Sequence, residues 1–406
     1  MPVFIGSTPN TTERDLKIAK EIISGKIDIT NSLSHLKNIF QKKFHGKDMY
    51  FFNRGRDSMY FLFQNLNLQP DDEIIIQGFT CVAVAAPILW AKCKPIFVDI
   101  KRDSFNMDLD RLKEKITPRT RVIISQHTFG NIADMLQVRK IVDNENSRRN
   151  DSNDIFLLED CAHILDFDNG EIGKYSDAFF FSFAQDKSIS STQGAVLILN
   201  NKQLLNENID GNYENIPEMS KQEALYNARY ILYWDKIKKT YFKKILLPRI
   251  TLGKILWVIY HLLGKIKKQA SSNTTDFDGI HKMSDVQASL LLTQLEQLSE
   301  FNSNRKKISN IYGKEKILLR YPMLVENTSE VIERLRENGV IVGKWYSSPV
   351  YPITWDNLEC LGYKMAECPE AEFCAKHIIN LPTNIEVNDD TASEILKIVN
   401  KYAKRI

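Results

Sequence analysis

Two periods of apolar and polar positions alternate along the chain. Leu16, Ala19, Ile22 and Ile23 recur at helical spacing behind the capping run Asn10-Thr11-Thr12-Glu13-Arg14-Asp15, which predicts a helix opening near Thr12. A second helix is expected over about Ser32 to Phe44. Short apolar runs then alternate with helical stretches: Met49 to Phe52, Ile74 to Ile76, Ile96 to Val98, Val122 to Ser125, Ile155 to Leu158, Phe179 to Phe181 and Ala195 to Leu197. Strands and helices in this order predict a mostly parallel, doubly wound α/β sheet. A long helix follows His281, with Leu291, Leu295, Leu298 and Phe301 at core spacing. From about Ile317 the pattern becomes that of a small α+β domain. Strands are expected at Tyr321 to Val325 and Val340 to Tyr346, and helices at Ser329 to Asn338 and Asp390 to Tyr402. The divisions expected are an N-terminal helical arm (1–48), a large domain (49–270) with an insert at about 209–277, a linking helix (271–315) and a small C-terminal domain (316–406).

Composition narrows the partners. Over 406 residues, 54 Lys and Arg stand against 51 Asp and Glu, a balance that gives no argument for nucleic acid. Six cysteines without a CxxC pair read as reduced thiols, neither a disulfide framework nor a zinc site, and no metal is expected. Met1-Pro2-Val3-Phe4-Ile5-Gly6 lacks the layout of a signal peptide, so a cytoplasmic location is expected. One stretch breaks the balance: residues 236–270 carry ten Lys and Arg and no acid, interleaved with Trp257, Tyr260 and several leucines. Its apolar part is interrupted by Lys254 and too short to span a bilayer, which takes about 20 apolar residues. Three readings stay open for it: internal packing or a dimer contact, a peripheral membrane contact, or binding of the phosphates of a nucleotide-linked substrate.

The candidate chemistry centres on Lys187, in a polar turn between two apolar strands. An amine there becomes a nucleophile toward an aldehyde if burial or a fixed partner keeps it partly neutral; a solvated loop lysine is the ordinary alternative. Upstream, the strand Asp154 to Leu158 ends in Glu159-Asp160, with His163 three positions later. A carboxylate at the carboxyl end of such a strand faces the ligand crevice of an α/β sheet and could hold a pyridine nitrogen protonated. Its bland alternative is a helix N-cap, and for His163 a satisfied, half-buried imidazole. At Arg54-Gly55-Arg56-Asp57 a strand runs through a glycine into a helix, which makes an anion site or an ordinary turn.

Glu159-Asp160-Cys161-Ala162-His163, then Phe181-Ser182-Phe183 followed by Lys187, then Gln193-Gly194-Ala195, resemble the cofactor signature of the DegT/StrS nucleotide-sugar aminotransferases. These are pyridoxal-phosphate enzymes of the aspartate-aminotransferase fold. The resemblance runs from about Thr12 to Tyr402 and fails mainly between about Ile209 and Phe277. It implies fold type I: a large domain with a mostly parallel, seven-stranded sheet flanked by helices, plus a small C-terminal α+β domain. It further implies that Lys187 holds pyridoxal 5'-phosphate covalently, that Asp160 pairs with the protonated pyridine nitrogen, and that His163 steers the ring or its phenolic oxygen. Ser182 and the turn of Gly55, Arg56 and Asp57 would hold the phosphate. A homodimer with active sites at its interface is implied as well.

Four departures from the family pattern bear on the site. Arg56 replaces a small hydroxyl residue, and Cys81 stands where an aromatic residue stacks on the pyridine, leaving Phe79 or another ring as substitute. Ile280 replaces the asparagine that reaches the neighbouring subunit's cofactor phosphate, leaving Lys282 or His281 for that contact. Trp345 and Tyr346 occupy the neighbourhood of a substrate-facing histidine. The expected activity is transfer of an amino group, from glutamate, to a keto sugar linked to a nucleotide, toward an amino-deoxy sugar of a surface polysaccharide or related glycan. Lys187 favours transamination over the dehydratase branch, in which histidine stands there. Two alternatives are a pyridoxal enzyme acting on a lipid-linked or membrane-held substrate, motivated by the basic insert, and a non-enzymatic descendant of the fold, motivated by Cys81 and Ile280.

Overall fold

The computed structural model describes residues 3–4, 10–149, 154–245, 251–266 and 277–406. Seven of the apolar runs join one sheet: β1 (Met49–Phe52), β2 (Glu73–Gln77), β3 (Lys94–Val98), β4 (Thr120–Gln126), β5 (Phe156–Asp160), β6 (Ala178–Ser182) and β7 (Ala195–Leu199). Their spatial order is β1-β7-β6-β5-β4-β2-β3. β7 pairs antiparallel with both β1 and β6, and all other pairings are parallel. The central residues of the strands are apolar because both faces are covered, and polar residues stand at their ends. Ile74 and Ile76 of β2 enter one core while Ile75 enters the opposite one. Phe180 of β6 packs on one face; Phe179 and Phe181 pack on the other, with Phe40 and Phe51.

The helix Glu13–Ser24 starts where its capping run predicts, with the Thr12 N–H donating to Asp15 Oδ2 at 2.7 Å. The helix Ser32–Lys43 buries Leu36 and Phe40 against the sheet. After the short helix Ile209–Glu214, the described residues of the insert form two longer helices, Lys221–Thr240 and Leu252–Leu262. The first buries Ala224, Ala228 and Ile231 against Leu16, Ala19 and Leu290.

In the C-terminal part, Tyr321–Leu324 pairs antiparallel with Ile378–Leu381, under the helices Thr328–Glu337 and Asp389–Tyr402. The strand expected over 340–346 is shorter, Val340–Ile341. Beyond it the Trp345 N–H donates to Asn380 Oδ1 at 2.7 Å, and the Tyr346 ring turns into a cluster with Phe79, Phe129 and His163. Burial of that ring, rather than continued pairing, fixes the path of the chain.

Candidate active site

Because β5 and β6 are parallel neighbours, their carboxyl ends bring Asp160 and Ser182 to one edge of the sheet. Between β6 and β7 the chain closes a loop: the Phe183 N–H donates to Gly194 O at 2.8 Å, and the Ser191 N–H to Phe183 O at 3.1 Å. Phe183 and Ile189 anchor the loop in the core, and the buried Arg305 donates to Ser188 O at 2.6 Å. Lys187 therefore projects from a fixed turn. Its side chain is 15% exposed, with Nζ 3.8 Å from Asp186 Oδ1. Asp186 also accepts from Arg320 at 3.0 Å, and the Arg320 guanidinium lies 4.0 Å above the Trp345 ring. Burial works to raise the Asp186 pKa, yet Lys187 and Arg320 together hold it below the ordinary carboxylate value.

Asp160 is buried, accepts from the Ala162 N–H at 2.8 Å, and makes no ion pair with any described residue. Burial raises its pKa; the Ala162 N–H and the Lys187 charge only partly offset this. Such a carboxyl lacks a cationic partner. His163 is buried, and its Nδ1 accepts the Phe129 N–H at 3.0 Å, which places the proton on Nε2, 3.3 Å from the Tyr346 hydroxyl. Burial first, then Lys187 and Arg320, press its pKa well below the usual value, so the ring is neutral at physiological pH. Both nitrogens are engaged, and the ring lies nearly parallel to Phe129, 5.8 Å between centroids.

Gly55 opens the helix Gly55–Asn65, and a Cβ there would stand 3.4 Å from Ser182 Oγ. The bare backbone keeps a gap between a helix N-terminus and a hydroxyl, the layout of an anion cradle. Asp57 turns away from it: its carboxylate accepts from Arg54 Nε at 2.9 Å, and Arg54 also forms a double bridge to Asp278. Burial pushes Asp57 up to about 7 against the pull of Arg54 and Arg56. Burial and then the Arg54 charge lower the Arg56 pKa.

Cys81 caps the helix Val82–Trp90, its Sγ accepting from the Ala83 N–H at 3.5 Å. Burial raises this thiol, while Lys187 and Arg56 pull it down; its partner across the short parallel pairing is Tyr351. Phe79 is wholly buried among Phe105, Phe129 and Tyr346, so the stacking role left open for it falls to no exposed ring face.

The folded chain thus gathers Lys187, Asp160, His163, Cys81, Trp345 and Tyr346, with Gly55 and Ser182 beside one another. Lys282 and His281 stand apart. Lys282 donates to Glu214 at 3.0 Å over the Tyr213 ring, His281 O accepts from the Asn53 N–H, and no described contact joins either to Lys187. Two residues that sequence reasoning passed over complete the cluster. Asp186 was signalled by its place next to Lys187, and Arg320 by being a lone charge inside the apolar run Ile317 to Leu324. A third group, His127, Glu159 and Cys161, is close enough to hold a metal. However, His127 Nδ1 accepts the Ala133 N–H at 3.0 Å and Nε2 donates to Glu159 at 2.8 Å, leaving the imidazole no lone pair for one. Glu159 also accepts from the Gly173 N–H and from Ser176, so this group braces β5.

Comparison with known proteins follows the same lines. The model of the DegT/DnrJ/EryC1/StrS aminotransferase family matches residues 9–213 and 259–400. An uncharacterized protein of Methanocaldococcus jannaschii is 23% identical, over 83% of this chain and 81% of that one. GDP-perosamine synthase of Escherichia coli O157:H7 is 22% identical, over 94% of this chain and 95% of its own length. In fold, the solved structure of Helicobacter pylori PseC, an aminotransferase involved in the biosynthesis of pseudoaminic acid, covers 99% of both chains with a TM-score of 0.68 at 18% identity.

Proposed function

Because the chain belongs to the DegT/DnrJ/EryC1/StrS aminotransferase family, enzymes of pyridoxal phosphate, we propose that it moves an amino group from glutamate to a keto sugar carried on a nucleotide, at the cluster around Lys187. The observation that carries this reading is the shared enclosure of that cluster. The turn of Asp160 and His163, the helix cap Cys81 and the loop of Lys187 are three separate segments, and the charge of Lys187 acts on Asp160, His163 and Cys81.

The residues present fit the cofactor. The gap between Gly55 and Ser182 suits a phosphate, and Asp160 is a buried carboxyl in need of a cation. Pyridoxal phosphate, when bound, supplies an electron sink that makes a C–H bond beside the transferred nitrogen acidic. Asp160 keeps the pyridine nitrogen protonated, which maintains that sink. Lys187 would hold the cofactor through its ε-nitrogen, and as a neutral amine it is the group placed to accept and return a proton there. Asp186, fixed by Arg320, lies 3.8 Å from the Lys187 nitrogen and would steady the lysine whenever it carries a proton. Neutral His163 offers a flat face rather than a hydrogen bond. Trp345 and Tyr346 border the acceptor side, where burial keeps water out. The product is an amino-deoxy sugar destined for a surface polysaccharide or related glycan.

Two partners go with this reading. One is a second copy of the chain, with active sites at the interface, where Lys282 and His281 would face the neighbouring site. The other is a membrane surface met peripherally through residues 236–270, from the cytoplasmic side. A lipid-linked acceptor has the exposed apolar helix Leu252–Leu262 in its favour; a non-enzymatic descendant has only Cys81 and Ile280.

The test begins with colour. Protein incubated with pyridoxal phosphate is expected to absorb in the visible, and Lys187→Ala to lose that band; colourless wild-type protein would overturn the reading. Glutamate with a set of nucleotide-linked keto sugars, followed by mass, then identifies the acceptor.

A further inference from the structure

The second of the longer insert helices has two unlike sides. On one, it seats against Lys221–Thr240. A Cβ on Gly253 would lie 2.4 Å from Tyr241 Cα, so only glycine permits the approach, and Leu256 and Tyr260 pack with Tyr230, Trp234 and Ile237. On the other side no described residue covers it. Ile255 is 37% exposed, Val258 46%, Ile259 42% and Leu262 80%, the i, i+3, i+4, i+7 positions of one stripe. Trp257, also exposed, flanks the stripe and stacks on His261 with ring centroids 5.7 Å apart, and exposed Leu263 extends it. Among these outward positions the only lysine is Lys254. A helix facing water carries polar residues there, so an apolar stripe turned outward calls for an occupant.

Charge identifies the occupant. Residues 236–270 hold ten Lys and Arg and no acid. Lys243 and Lys244 are exposed where the chain bridges to Thr251 at the start of the helix; Lys265, just past its end, is half-buried with its Nζ over the Tyr233 and Tyr260 rings. Basic residues bracket an apolar face, as in helices that lie in the headgroup plane of an anionic bilayer. With 11 residues the helix is about 16 Å long, against the roughly 30 Å of a hydrocarbon core. No helix of the described residues is long and apolar enough to cross a membrane. The family model leaves residues 214–258 unmatched, which places the start of the stripe outside what the family shares.

We propose that this stripe docks the protein on an anionic phospholipid surface, with Ile255, Val258, Ile259 and Leu262 inserted and the exposed Lys243, Lys244 and Lys254 at the headgroup phosphates. The assignment rests on the peripheral membrane contact named above and is independent of the chemistry at Lys187. Cofactor-loaded protein is sedimented with vesicles of equal parts phosphatidylglycerol and phosphatidylcholine, and with phosphatidylcholine alone. Binding is expected only to the first. Ile259→Glu and Leu262→Glu are each expected to lower vesicle affinity by about tenfold or more, by placing a carboxylate at an anionic surface. Lys243→Gln with Lys244→Gln is expected to lower it severalfold and to reduce its salt dependence. Unchanged binding by Leu262→Glu, or no binding by the wild type, overturns the proposal. If the wild type does not bind and Leu262→Glu halves the mass in light scattering, the stripe belongs to a second copy of the chain. The visible absorbance of the same samples reports the chemistry at Lys187 separately, so failure of one reading is not mistaken for failure of the other.

Discussion

Replacing Arg320 with alanine tests the least expected feature of the site. The guanidinium is 3% exposed and Asp186 is 22% exposed, with 3.0 Å between them. At an effective dielectric constant of about 20, unit charges at that distance attract by about 5 kcal/mol. Removing both groups from water consumes much of this, and a coupling of about 1.5–3 kcal/mol is left for a charged, buried hydrogen bond. Loss of the cation–π contact with Trp345, 4.0 Å away, adds about 1–2 kcal/mol. Arg320→Ala should therefore lower the unfolding free energy in urea by about 3–4 kcal/mol. Arg320→Lys should lower it less, since it keeps the charge and loses the planar stack. The decisive assay is a double-mutant cycle with Asp186→Asn, which isolates the pair from the Trp345 contact. A coupling below about 0.5 kcal/mol would refute the argument, because the two groups would then be solvated independently. The site gives a second readout. Arg320 is among the charges that keep His163 neutral, so Arg320→Ala should raise the His163 pKa, visible in the imidazole resonances as pH is lowered.

Three further outcomes follow from single observations. Gly55→Ala places a methyl 3.4 Å from Ser182 Oγ, ordinary contact in the free protein, so stability should change by less than about 1 kcal/mol while pyridoxal phosphate affinity drops severalfold or more in a spectral titration. Gly173→Ala should destabilise by about 2–4 kcal/mol in urea unfolding, because its φ of 72° is left-handed and its Cβ would come 2.6 Å from the Phe179 ring. Asp160 has a raised folded-state pKa, so between its ordinary and its raised value the folded protein binds more protons than the unfolded one; cofactor-free stability should fall as pH rises through that window, and Asp160→Asn should flatten the dependence in unfolding curves taken at several pH values.

Local signals made most of the fold legible. The run Ile74-Ile75-Ile76 reads as a doubly buried strand because consecutive side chains enter opposite cores. The capping box at Thr12 fixes the first helix to the residue. Asp160 and Ser182 reach one edge because β5 and β6 are parallel neighbours, whereas joining Asp160 and Lys187 at one cofactor came from the family resemblance. Long-range contacts escaped. Arg320 meets Asp186 from the C-terminal part of the chain, and nothing in the pattern around either residue encodes that pairing. The strand expected over 340–346 gave way for the same reason. The β-branched run Val340-Ile341-Val342 predicts pairing, but Tyr346 is buried among Phe79, Phe129 and His163 instead. Charge and apolar content in the insert showed an amphipathic segment, but not which side of the helix meets protein.

The two longer helices of the insert do different work, and the first connects the second to the lysine loop. Asn227 of Lys221–Thr240 accepts from Thr192 Oγ1 at 2.8 Å, and Thr192 lies in the same loop as Lys187, with a left-handed φ of 68°. Gln185, two residues before the lysine, is among the groups that act on the Tyr230 hydroxyl of that helix. On its far side the same helix buries Trp234 and Ile237 beneath Leu256 and Tyr260. One helix thus touches both the outer helix and the loop that holds the reactive amine. Closely packed interiors transmit strain, because a side chain cannot move without displacing its neighbours. The loop has an independent brace, Arg305 on Ser188 O, which opposes any such movement. With that brace in place, a substitution on the outer stripe is expected to leave the lysine turn, and with it the visible absorbance of the bound cofactor, unchanged.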